Sequence, residues 1–313
     1  MILFSFCSPD RSKDALILEE LFSFKIQDPD RVLDVAVIDK MVYVANFING
    51  VSIYDVTNSN RVALIKTIDS GICAQRLFLH DTLLFVSNRY DGLRVYSVKD
   101  PVNPYVISQY TETSSFGIFG DDNWAFSAGQ QGLFVLDFTE KKEEAKIVCE
   151  IPQFNTSNQC LCENEFIYSA NWYEGISIVD ISDKSTPIVK SIIKTEDYSS
   201  ELVKIGNYLV SANGKCGVMV FDVSDPSNVI STDSKTLGSE VLDISSDEKS
   251  LIFAGTLTDG IFILKLLHDG SLKLIDKYEK SGDSRGMFYS NGYLYIASQS
   301  TSTIKVLKIK EVH

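Results

Sequence analysis

Six glycines, at positions 50, 92, 132, 175, 217 and 260, recur every 40 to 43 residues, and each sits in the same local pattern. An alternating apolar segment and a polar loop precede the glycine; a second alternating segment follows it. The first case runs Val42-Tyr43-Val44-Ala45-Asn46, a loop to Gly50, then Val51-Ser52-Ile53-Tyr54-Asp55-Val56. A unit this short cannot bury its own apolar faces, so the copies must stack on one another. Alternation with period two, rich in β-branched and aromatic residues, reads as strands, and no segment shows a helical period of useful length. Glycine at the start of the second strand supplies a backbone angle that residues with a Cβ resist.

Two more strands complete each unit, an inner one as in residues 32–37 and an outer one as in residues 61–66. Turn-rich connections such as Asp100-Pro101-Val102-Asn103-Pro104 separate the third strand from the fourth. Four strands in about 42 residues make one blade of a β-propeller. The seventh unit carries Thr303 in the glycine's place and stops near residue 309 without an outer strand. A spare strand over residues 18–26 can supply it, closing the ring and removing an exposed edge. The expectation is an all-β, seven-bladed propeller of four-stranded blades over residues 16–313, closed by an N-terminal strand that completes the last blade. Residues 1–15 form an N-terminal extension whose Leu3-Phe4-Ser5-Phe6 echoes Leu21-Phe22-Ser23-Phe24.

The net charge of −13 argues against nucleic acid and anionic membrane surfaces as partners. No apolar run reaches the length of a membrane span, and the N-terminus lacks the basic start of a signal peptide. Six scattered cysteines, mostly within strand patterns, point to a reducing, cytoplasmic setting.

The stretches Tyr43 to Asn46 with Gly50 to Val56, Ile176 to Pro187, Gly132 to Asp137 and Val218 to Pro226 resemble LVIVD repeats. The resemblance runs from residue 32 onward, strongly in units one to five and weakly in six and seven, where Lys265 and Lys308 stand in the motif's Asp position. It implies a β-propeller and adds little on function, because most members have no assigned activity. The Trp-Asp and Gly-His pairs of WD40 blades are absent.

By analogy with other propellers, loops joining second and third strands share a face with those entering the inner strands, and that face is the usual platform for ligands or partners. It carries Phe47, Ile48, Arg89, Tyr90, Gln130, Gln131, Trp172, Tyr173, Glu174 and Lys215. Of these, Phe47, Arg89, Tyr90, Trp172, Tyr173, Glu174 and Lys215 are candidate contacts for a protein or peptide, since Trp, Tyr and Arg dominate interface energetics. The alternative is that Trp172 and Tyr173 pack on neighbouring loops. The recurring Asn46, Asn88, Asn171 and Asn213, and the series Asp55, Asp137, Asp180 and Asp222, read as structural, bonding local backbone.

At the start of the inner strands, bordering the central channel, stand Asp34, Arg76, Gly117, Gln159, Glu201, Asp243 and Gly286, with Arg285 alongside. Two readings stand: Asp34, Glu201 and Asp243 hold a cation such as Ca²⁺, or the charges form a solvated, mutually compensating ring. Enzyme signals are poor. His80 and His268 map to the opposite face, His313 lies in the tail, and Cys160-x-Cys162 reads as core packing. The leading expectation is a non-enzymatic protein- or peptide-binding scaffold without cofactor; the alternative is a propeller hydrolase or lactonase with calcium at the channel mouth.

Overall fold

The computed structural model describes residues 15–140, 145–151, 157–280 and 282–312. Among these, 28 strands form seven antiparallel four-stranded sheets, and no helix occurs. In blade 1 the strands are Asp34–Ile38, Met41–Ala45, Val51–Asp55 and Ala63–Ile68, paired in sequence order from the channel outward. The inner strands of blades 2 to 7 are Ala74–His80, Gly117–Gly120, Gln159–Glu163, Glu201–Ile205, Val241–Ser246 and Gly286–Ser290. Boundaries shift from the sequence reading by about two residues: the inner strand of blade 1 begins at Asp34, and its outer strand spans Ala63–Ile68.

The seventh blade is completed as the strand count requires. Ala15–Lys25 lies antiparallel to Thr303–Val312, from Ala15 opposite Val312 to Lys25 opposite Thr303. Both strands are longer than the sequence suggested, and the closing strand takes in Ala15, which the sequence reading left in the extension. Residues 1–14, with the Leu3-Phe4-Ser5-Phe6 echo, lie outside the described residues.

The apolar residues form seven cores rather than one, each filling the wedge between two neighbouring blades. Val42 and Val44 of blade 1 pack towards blade 7, against Ala297, Ile304 and Val306, whereas Tyr43 and Ala45 on the same strand pack towards Leu84 and Val86 of blade 2. Successive side chains of a strand leave on opposite faces, so a blade between two others must be apolar on both. That explains near-continuous burial in the second and third strands and alternating exposure in outer strands such as Ala63–Ile68.

The repeated glycine has two reasons to be glycine. Gly50 has φ +72°, and a Cβ there would stand 2.5 Å from the carbonyl carbon of Asp69 at the end of the outer strand. In blade 7 the left-handed residue is Ser302, one position before Thr303, at a corner facing the N-terminal strand. Each Asp at the end of a third strand caps the next turn as expected: Asp55, Asp137, Asp180 and Asp222 accept N–H bonds from Thr57, Thr139, Ser182 and Ser224 at 2.7 to 3.0 Å.

Candidate functional site

Three isolated bridges tie the loop face together. Ala74, Ser199 and Val241, beside or at the entry of one inner strand, donate backbone N–H bonds to the carbonyls of Phe47, Trp172 and Gly214 in the preceding blade's loop. The loops joining second and third strands thus meet the entrances of the inner strands, as the fold analogy required. The recurring Asn lies just before each bridge and is buried. Asn46 accepts from the Asp30 N–H at 2.9 Å, and Asn171 from the Ser157 and Ser169 hydroxyls at 2.6 and 2.9 Å. These side chains bond the connection entering their own blade, a structural role.

The residue after that Asn adopts a left-handed backbone: Phe47 at φ +44°, Trp172 at +46° and Gly214 at +46°. Bulky residues resist this region at a cost of roughly 1–2 kcal/mol, which blade 5 avoids with glycine. The angle lays Trp172 against Tyr198, with centroids 5.1 Å apart, and Tyr173 meets the same ring edge-on at 5.9 Å. Tyr173 remains 74% exposed and Tyr90 63% exposed, with Ile48 also outside. Phe47 differs from its sequence assignment: it is buried, with the Arg31 guanidinium 3.5 Å above its ring. Lys215 reaches Glu240 at 3.7 Å, the carbonyl of Glu174 accepts from Lys194, and Gln131 accepts from Thr113 and Ser114.

Two rings of residues line the channel at this face. The upper ring is Leu33, Gln75, Phe116, Asn158, Ser200, Leu242 and Arg285; the lower is Asp34, Arg76, Gly117, Gln159, Glu201, Asp243 and Gly286. Arg285 therefore stands one level above the ring it was placed beside. In blades 2 and 6 the inner strand opens with a bulge, between Ala74 and Arg76 and between Val241 and Asp243, which re-aims the side chains there. Gly286 is glycine because a Cβ would lie 2.6 Å from Asp34 Cα; Gly117 likewise abuts Gln159.

Around Arg76 the lower ring draws together. Its Nη2 lies 2.9 Å from Glu201 Oε2 and its Nη1 3.8 Å from Asp243 Oδ1. Asp34 accepts N–H bonds from Leu77 and Val35, both at 2.8 Å. Burial pushes all three carboxyls up, Glu201 to about 7, with the Arg76 charge pulling the other way. Asp243 stands well above the carboxylate range, raised by burial and then by the neighbouring Glu201. The Arg76 guanidinium thus stands beside Glu201 and Asp243, two of the three carboxyls of the calcium reading, while Asp34 bonds backbone N–H groups. Among the described residues, the group of three with ligand atoms within 4.8 Å of one another is instead His80, Asp81 and Asp122, at the opposite face.

Arg76 lines two cavities, one on each side of this layer. The cavity on the loop face has about 420 Å³ and is bordered also by Arg31, Arg89, Arg285, Trp172, Tyr198 and Glu240. The other, about 340 Å³, lies beneath, against Asp34, Gln159, Glu201 and Asp243. The sequence reading missed Arg31, Tyr198 and Glu240. The available signal was arginine scarcity: of seven arginines in the chain, four border this cavity. Cys160 and Cys162 pack between blades 3 and 4, and burial pushes the Cys162 thiol up to about 12.

Comparison with known proteins agrees with this architecture. No curated protein matches the chain. The crystal structure of the computationally designed Ika8 protein superposes with a TM-score of 0.67 over 92% of this chain and 99% of that one, at 11% identity, a likeness of fold alone. The family model described as LVIVD repeat matches residues 31–69, 162–195 and 198–234, in blades 1, 4 and 5. The chain is a seven-bladed β-propeller carrying LVIVD repeats.

Proposed function

We propose that the protein is a non-enzymatic scaffold that holds a protein or peptide on its loop face. The observation that carries this reading is the aromatic cluster of Trp172, Tyr173 and Tyr198. Trp172 is kept in an unfavourable backbone conformation, yet Tyr173 stays largely in solvent. Strain retained beside exposed aromatic surface is the arrangement expected of a recognition site. Tyr90, Ile48 and Tyr173 extend the apolar contact around the mouth. In support of a binding rather than a catalytic role, the Glu201–Asp243 carboxyls are engaged with Arg76, and Cys160 and Cys162 are enclosed in a core.

The test is capture of partners by the full chain and by Tyr173→Ala and Tyr90→Ala variants, with calorimetry on the partner recovered. Both rings are exposed, so the variants should fold as the parent does. Loss of at least tenfold in affinity is expected for one or both; a partner that binds the double variant as tightly would place recognition elsewhere.

A further inference from the structure

Arginine is sparse in this acidic protein, yet the cavity at the channel mouth gathers Arg31, Arg76, Arg89 and Arg285 and no lysine. Their surroundings differ. Arg76 is engaged with Glu201 and Asp243 below, and Arg285 is pinned through Nε to Asp283 at 3.0 Å. Arg31 and Arg89 have no carboxylate within ion-pair distance among the described residues. Arg31 lies over the Phe47 ring at 3.5 Å, and Arg89 lies over Phe116 and Tyr90, with one long bond to Gln75 at 3.4 Å. Stacking of this kind fixes the guanidinium plane and leaves its N–H edge free to meet an acceptor. The Arg89 Nε is buried and donates to nothing, an arrangement that calls for an explanation. The carboxylate in the cavity wall, Glu240, is already held by Tyr198 Oη at 3.2 Å and Lys215 at 3.7 Å.

The cavity is also two-sided. Its arginines belong to blades 7, 1 and 2, whereas Trp172, Tyr198, Leu242 and Leu257 face them from blades 4 to 6. A volume of about 420 Å³ with a few convergent polar groups and an apolar wall is the size and character of a small-molecule site. We propose that this cavity binds an oxyanion, a carboxylate or phosphate, on Arg31, Arg89 and Arg285, with the apolar body carrying it laid against Trp172, Tyr198, Leu242 and Leu257. Guanidinium groups meet both oxyanions through paired N–H bonds, which explains arginine rather than lysine. The anion comes either from a free organic acid or from the C-terminal carboxylate of a peptide.

Titration calorimetry of the full chain with phenylacetate, phenyl phosphate, neutral phenylacetamide, and a hexapeptide ending in phenylalanine, with free and amidated C-termini, tests this. Binding of an anionic probe, weakened by salt and at least tenfold weaker in Arg89→Met and Arg31→Met, is the expected result. Arg61→Met removes an equal charge from an exposed position away from the cavity and should change nothing. Tighter binding of the free-terminus peptide than of the small acids would assign the anion to a peptide terminus; the reverse would assign it to a free acid. Tyr173→Ala, on the partner face but not in the cavity wall, should leave these affinities intact, so failure of the partner face and failure of the anion site read out separately. Equal binding of phenylacetamide, no binding of any anion at millimolar concentration, or affinities unchanged in the arginine variants would overturn the assignment.

Discussion

Arg76 and Arg89 belong to one blade and border one cavity, yet the protein treats their charges in opposite ways. Arg76 is enclosed by Glu201, Asp243 and Asp34, carboxyls drawn from three other blades. Arg89 is half-buried against aromatic faces and, among the described residues, meets no carboxylate. A buried charge surrounded by opposite charge belongs to the fold, because removing it strands its partners in a low-dielectric interior. A guanidinium held by stacking alone can be removed with little loss, and keeping it makes sense for a ligand. The Arg76 layer lies between two cavities, and Arg89 borders the one on the loop face.

The largest expected effect tests this difference directly. Arg76→Ala leaves buried carboxyls without their counter-charge and should destabilise the protein by about 3–5 kcal/mol in urea unfolding. Arg89→Ala should stay within about 1 kcal/mol. Equal losses would erase the distinction. Next, Gly286→Ala drives a Cβ into the Asp34 backbone and should cost about 1–3 kcal/mol by overpacking, disturbing the paired layer while the rim arginines stay in place.

The pH dependence sharpens the comparison further. A carboxyl raised in the native state contributes stability that is full below its unfolded pKa and lost as pH rises through its folded one. For Glu201 that window runs from 4.5 to about 7, and Asp243, also raised, contributes in the same direction. Unfolding free energy should therefore fall across this range by up to about 1.4 kcal/mol per pH unit for each proton involved. Glu201→Gln should flatten the fall, and Arg89→Ala should not alter it. A lowered carboxyl such as Asp183, held to about 2 by the Ser185 and Thr186 side chains, gives the opposite limb: its contribution is lost as pH falls from 3.8 through about 2. The smallest effect belongs to the rim. Trp172→Gly relieves the left-handed strain while losing the stacking on Tyr198, so the two nearly cancel and stability should change by less than about 1 kcal/mol. A loss of several kcal/mol would make Trp172 part of the fold rather than of the binding face.

Much of this architecture was legible before any coordinates. Loop glycines spaced 40 to 43 residues apart, a spare strand near the N-terminus and a last unit one strand short imply seven blades and their closure, because glycine position and strand alternation are local properties. The Asp turn caps were legible for the same reason: each acts on a residue two positions away. The mouth was legible only in part. Alignment of the repeats put Asp34, Arg76, Glu201 and Asp243 at one level but left open a cation among them or a mutually compensating ring, since spacing does not say which way a side chain points. Bulges at Gln75 and Leu242 and the absence of a Cβ at Gly117 and Gly286 decide that. Phe47 looked like a free aromatic, and only the left-handed turn of its backbone carries it beneath Arg31.

The sequence by itself determined the strands, the blade count and the ring closure, all consequences of period and local backbone preference. The tertiary structure alone decided which charges meet. Arg76 finds Glu201 and Asp243, 125 and 167 positions away in the chain, because a closed ring brings every inner strand to one axis. The same closure gathers Arg31, Arg89 and Arg285 above them at one cavity. Pairing across a ring depends on distances through space, which no repeat period encodes.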